Sequence, residues 1–122
     1  MRNELIVKTF VPAANIAGYR VCKHGVADNT IIQSAAGPDL HIGISTYVGD
    51  DPSNGDETVD LVMMGIAEVE YGANINQGEL VTADANGRVV PAATGDMLIG
   101  RALESGVAND IHGVVLTLSE KA

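Results

Sequence analysis

Tryptophan is absent from this 122-residue chain, and one phenylalanine and three tyrosines are its only aromatic residues. Phe10, Tyr19, Tyr47 and Tyr71 are too few rings to stack bases or sugars, which argues against single-stranded nucleic-acid binding. Basic residues are scarce as well. Seven Lys and Arg stand against sixteen Asp and Glu, for a formal net charge of −9. That field repels a phosphate backbone, so no nucleic-acid partner is expected. A single cysteine, Cys22, permits no intramolecular disulfide. In the apolar run Tyr19–Cys22 it reads as a small buried hydrophobe rather than a reactive thiol. No apolar stretch approaches a membrane span. Leu5-Ile6-Val7, interrupted by Lys8, is too short for the core of a signal peptide. These absences point to a protein made and folded in a reducing cytoplasm, without a membrane partner.

Reaction chemistry is missing too. No Gly-Lys pair exists to build a phosphate-binding loop. One cysteine and the scattered His24, His41 and His112 cannot form a structural zinc site. Cys22 and His24 could share a strand face, but Lys23 and Gly25 supply no orienting carboxylate for a catalytic dyad. The acidic loop comes nearest to a metal site. With Asp50 at position 1, Asn54 and Gly55 fall where a calcium loop needs them; position 3 is then Pro52 and position 12 is Leu61, neither of which ligates. The residues therefore predict no catalytic group, no metal and no cofactor.

What the chain does have is an internal echo. Ala14-Asn15-Ile16-Ala17-Gly18 returns as Ala73-Asn74-Ile75-Asn76-Gln77-Gly78, with Asn15 and Asn74 offset by 59 residues. Asp39-Leu40-His41-Ile42-Gly43 returns as Asp96-Met97-Leu98-Ile99-Gly100, offset by 57 residues. Each block has a turn closing on Gly, a short apolar strand, a Gly/Asp turn and a second apolar strand ending in Gly.

Strand signals surround these blocks. Residues 1–11 are β-rich until Pro12 ends the ladder. Tyr19–Lys23, Thr30–Gln33 and Leu40–Val48 read as strands, the last with alternating polarity. Thr58–Val69 is apolar on both parities, as in a central strand or one that switches faces at a bulge near Gly65. Glu79–Ala83 and Arg88–Pro91 flank an Asn86-Gly87 hairpin turn. Met97–Leu103 and Ile111–Leu118 close the chain. No segment sustains helical periodicity. The expectation is one all-β domain, a compact barrel or sandwich of about ten short strands. It divides into an arm or first strand (1–12) and two related β-units (13–72 and 73–122).

The run Ile75-Asn76-Gln77-Gly78-Glu79-Leu80-Val81-Thr82-Ala83-Asp84-Ala85-Asn86-Gly87-Arg88-Val89-Val90-Pro91, followed by Gly95-Asp96-Met97-Leu98-Ile99-Gly100-Arg101-Ala102-Leu103-Glu104, resembles the small phage capsid cement (decoration) proteins of the DUF2190 family. The similarity covers residues 72–118 and is loose before them. It implies a non-enzymatic virion structural protein on the capsid exterior, made in the host cytoplasm. It also implies a homotrimer with the major capsid protein as partner. A cement that binds only the expanded head stabilises it by mass action. Within that frame Arg2, Leu5, Ile6, Val7 and Phe10 are the candidate partner-binding residues, by strand addition to a capsid subunit or a neighbour. The same stretch also reads as an ordinary first strand. Two other readings stay open: a β-clip-like domain binding a ligand or carbohydrate, and an enzyme pairing the acidic loop Asp50–Asp60 with a histidine.

Overall fold

A computed structural model describes residues 3–13, 16–46 and 58–121. Arg2, Tyr47 and most of the acidic loop, Asp50 to Glu57, lie outside the described residues. Those described form nine strands and no helix. They are β1 (Asn3–Pro12), β2 (Val21–His24), β3 (Thr30–Gln33), β4 (His41–Ser45), β5 (Val59–Glu70), β6 (Leu80–Ala83), β7 (Val89–Pro91), β8 (Met97–Ala102) and β9 (Ile111–Glu120). Short β-branched runs broken by Gly, Asn and Asp explain the pattern, since branched side chains suit a pleated surface and the breakers suit turns. Several boundaries differ from expectation. Pro12 stays in the ladder opposite Ile31, because a parallel edge pairing does not need its missing N–H. Strand β4 covers only His41–Ser45 of the expected 40–48, and β2 starts two residues late. Tyr19 does not begin a strand, because its backbone is left-handed (φ 62°). There its amide donates to the Ser45 carbonyl and its carbonyl accepts from the Glu70 amide, both at 3.0 Å.

Hydrogen bonding links the strands in the order β1-β3-β2-β4-β5-β9-β8-β6-β7, and β1 also pairs with β5. That extra pairing closes β1, β3, β2, β4 and β5 into a ring. A parallel bridge from Tyr71 to Val89 closes β5, β7, β6, β8 and β9 in the same way. The protein is two small barrels that share β5.

The registers repeat along with the sequence. Cys22 opposite Gly43 is matched by Val81 opposite Gly100. Ile44 opposite Val62 is matched by Arg101 opposite Val115, and Val7 opposite Val62 by Ile66 opposite Val115. The parallel pair Pro12–Ile31 has its counterpart in Tyr71–Val89. Strand β5 thus ends the first barrel and begins the second, occupying there the place that β1 holds in the first.

The interiors repeat as well. Phe10, Ile16, Cys22, Ile31 and Leu61 fill the first barrel, and Val69, Ile75, Val81, Val89 and Val114 occupy the matching places in the second. Aliphatic branched side chains pack such narrow interiors without polar handles to satisfy. Val59 and Leu61 of β5 face the first core, whereas Val62, Ala67 and Val69 join the second. The change of face comes where Gly65 has φ 105° and where β1 and β5 shift register beside Ile6. Gly43 and Gly100 sit where two strands approach most closely. A Cβ on either would collide with a neighbouring carbonyl, that of Val62 or of Val115.

Candidate functional site

Strand β1 pairs with β5 from Asn3 to Phe10 and with β3 only at Val11 and Pro12. Among the described residues its other edge therefore carries no strand from Asn3 to Thr9. Leu5 is 70% exposed, Ile6 48% and Val7 44%. Ile6 stands opposite Met64, itself 50% exposed, so the apolar surface extends onto β5. Beyond it the strand is anchored. The Lys8 ammonium bonds Asn29 Oδ1 at 3.1 Å and lies 4.7 Å from the Phe10 ring centroid, and the Thr9 hydroxyl donates to Asp60 at 2.7 Å. Phe10 points inward and is only 4% exposed, so of the expected contact residues it belongs to the core instead. Leu5, Ile6 and Val7 are thus exposed on a strand that belongs to the protein's own sheet.

A second concentration of polar groups lies at the seam between the barrels. The Asn86-Gly87 turn folds back on the first barrel: Gly87 O accepts from the Val21 amide at 2.7 Å, and Asn86 O accepts from Arg20 at 3.1 Å and Gln33 at 2.9 Å. Glycine suits this turn, whose φ of 74° lies in the left-handed region and where a Cβ would press on Gln33 and the Val21 carbonyl. Glu70 holds Arg20 at 3.3 Å and Arg88 at 3.7 Å, and Arg88 also reaches Asp84 at 3.5 Å. Deeper in, Ser34 Oγ bonds His41 Nδ1 at 2.8 Å, and His41 Nε2 bonds Thr82 Oγ1 at 3.2 Å.

None of these groups is arranged as a reaction centre. Ser34 and His41 make a serine–histidine contact and are 1% and 5% exposed. Burial pushes the Cys22 thiol up to about 12, against hydrogen bonds from Ser45 that act the other way, so it stays a protonated core residue. His24 turns outward while Cys22 is buried, which separates the two members of the conceivable dyad. His112 lies between Glu104 and Asp110 at 3.4 Å each and packs on the Tyr71 ring at 5.1 Å, closing the far end of the second barrel. Among the described residues no cluster of His, Cys, Asp and Glu is suited to a metal.

The family model for phage cement proteins matches residues 2–117, and the chain belongs to that family. It is a phage structural protein. The crystal structure of the head fiber gp8.5 N base of bacteriophage phi29 has a similar fold, with a TM-score of 0.72 at 22% sequence identity. That match covers 96% of this chain and 98% of the other. No curated protein matches it. Of the residues expected from the sequence to meet a partner, Leu5, Ile6 and Val7 are exposed, Phe10 is buried and Arg2 lies outside the described residues. Sequence reasoning missed the seam, whose partners are far apart in the chain: 41 residues between His41 and Thr82.

Proposed function

We propose that the protein is a non-enzymatic cement that binds the exterior of a phage capsid and stabilises the expanded head, acting as a homotrimer with the major capsid protein as its partner. Membership of the phage cement family supports the role. The observation that carries the contact is the open edge of β1, with Leu5, Ile6 and Val7 turned to solvent. Strand addition supplies main-chain hydrogen bonds along such an edge, and the alternating side chains set its specificity. Fully burying an aliphatic side chain contributes about 1.5–3 kcal/mol. Leu5, Ile6 and Val7 are already partly covered, so the three together would contribute roughly half the full sum.

The edge is held by pairing with β5 before any partner arrives, so the ordering cost is smaller than for a flexible arm. Trimerisation would let three edges engage at once and raise avidity over that of one contact. Arg2, expected in the same contact, lies outside the described residues. The test is to add purified protein to expanded heads and to unexpanded ones and to follow co-sedimentation and thermal disruption. Selective binding to expanded heads, with an upward shift in their disruption temperature, is the expected result. Equal binding to neither or both, with no shift, would overturn the proposal.

A further inference from the structure

His41 and Leu98 hold matching places in the two barrels, each near the start of the strand that ends its sequence repeat on Gly43 or Gly100. Only the first barrel has a titratable group there, and it lies against the second. The hydrogen bonds fix its protonation state. Thr82 Oγ1 has one proton and two carbonyl acceptors, Met97 O at 2.7 Å and Gly37 O at 3.2 Å. Towards His41 it can therefore only accept, so Nε2 carries the hydrogen and Nδ1 takes the proton of the Ser34 hydroxyl. Ser34, His41 and Thr82 are all buried. The loop they hold is also tied to the second barrel by the Met97 amide, which donates to Gly37 O at 2.9 Å.

We propose that Ser34, His41 and Thr82 form an acid-sensitive clasp between the barrels, and that protonating His41 releases the β3–β4 loop from β6 and β8 while both barrels stay folded. A second proton on the ring turns Nδ1 from acceptor to donor. It strands the Ser34 hydroxyl proton and places a cation at the seam. The charged groups around the ring are few. Asp39, just before β4, favours the cation, and Lys23 on β2 opposes it while itself bound to Asp39 at 2.9 Å. Asp96, before β8, packs against Gly37. From β6 and β8 the ring meets only the Thr82 hydroxyl and the Met97 carbonyl. Burial is the largest influence and holds the imidazole below its ordinary value, with Asp39 and the two carbonyls acting against it.

The inference rests on the seam geometry and is independent of the capsid role. Its test combines imidazole-nitrogen NMR with hydrogen exchange at the Met97 amide between pH 7 and 4.5, corrected for intrinsic exchange. The neutral ring should show the Nε2–H form and a midpoint below the ordinary imidazole range. Below that range the open population should rise by up to about tenfold per pH unit, while amides in the barrel cores keep their protection. His41→Leu, which installs the residue of the matching position, should abolish that pH dependence. An ordinary midpoint, or Met97 exchange in the wild-type protein that does not change with pH, would overturn the proposal. The wild-type titration decides the matter even if the variant does not fold.

Discussion

The two barrels share one pairing scheme and differ at their borders. In the second barrel the leading strand, β5, is flanked by β1 along one stretch and by β9 along another. In the first barrel the leading strand, β1, has only β5 beside it until Val11. Fold-defining features are duplicated: the Gly that lets strands meet, the Asp that ties its turn, the five matched core positions. The features proposed to act outside the fold occur once. Leu5–Val7 is the exposed edge, and His41 stands where the second barrel has an aliphatic residue, Leu98. In that proposal, departure from the repeat marks the surfaces that act.

The comparison can be broken most severely in the core. Phe10→Ala should cost about 3–5 kcal/mol, since a large ring is removed from a closed interior, and thermal unfolding would read this directly. A loss under 1 kcal/mol would mean that β1 is not part of the first barrel. Next come the crossing glycines. Gly43→Ala and Gly100→Ala should each cost about 1–3 kcal/mol, because the new methyl meets a backbone carbonyl. Similar losses in calorimetry support equivalent barrels, and a tolerated substitution at one site alone would not.

Smaller effects should separate the matched turns. Asp39 accepts the amides of Ala35 and Ala36 at 2.9 and 3.1 Å and pairs with Lys23, whereas Asp96 accepts from Ala93 at 2.9 Å. Asp39→Ala should cost about 1–2 kcal/mol and Asp96→Ala about 1 kcal/mol or less, and chemical denaturation that reversed this order would contradict the turn geometry. Burial alone would raise the Asp39 carboxyl, but the two amides and Lys23 outweigh it and hold it below the ordinary aspartate range. Because the folded value is depressed, the stabilisation is present above the unfolded value and lost as pH falls through the folded one. Acid titration of wild type against Asp39→Ala should show the difference shrinking in that window.

Local chemistry was the legible part of this fold. The Asn86-Gly87 turn depends on neighbours in sequence and appears where they place it. Strands β4 and β8, however, run past Gly43 and Gly100 to Ser45 and Ala102. Nor does β4 alternate as expected: His41 and Ser45 are buried with hydrogen-bond partners while Leu40 is 70% exposed. Nine strands among the described residues agree with the expectation of about ten short ones, and the left-handed Tyr19, which nothing local announces, only delays the start of β2. The closure of β1 onto both β5 and β3 was not legible, because such pairing is decided by residues tens of positions apart. For the same reason a first strand and a free arm looked alike from Leu5-Ile6-Val7: alternation shows what a strand can bury, not how many neighbours it finds. The burial of Phe10 follows from the barrel closing around it.

The central claim is that the unrepeated edge of β1 is the contact with the capsid. Side-chain replacement tests it better than deletion, since removing residues 1–8 would strip most of the β1–β5 pairing and destabilise the first barrel. Leu5 and Val7 are exposed, so Leu5→Asp/Val7→Asp should change folding stability by no more than about 1 kcal/mol. The decisive measurement is a binding titration of this double variant and the wild type on expanded heads at matched salt. Losing two partly buried apolar contacts and opposing any strand addition should weaken binding by at least about tenfold, 1.4 kcal/mol, with the melting temperature nearly unchanged. Undiminished binding by a folded double variant would contradict the account and move the capsid contact away from β1.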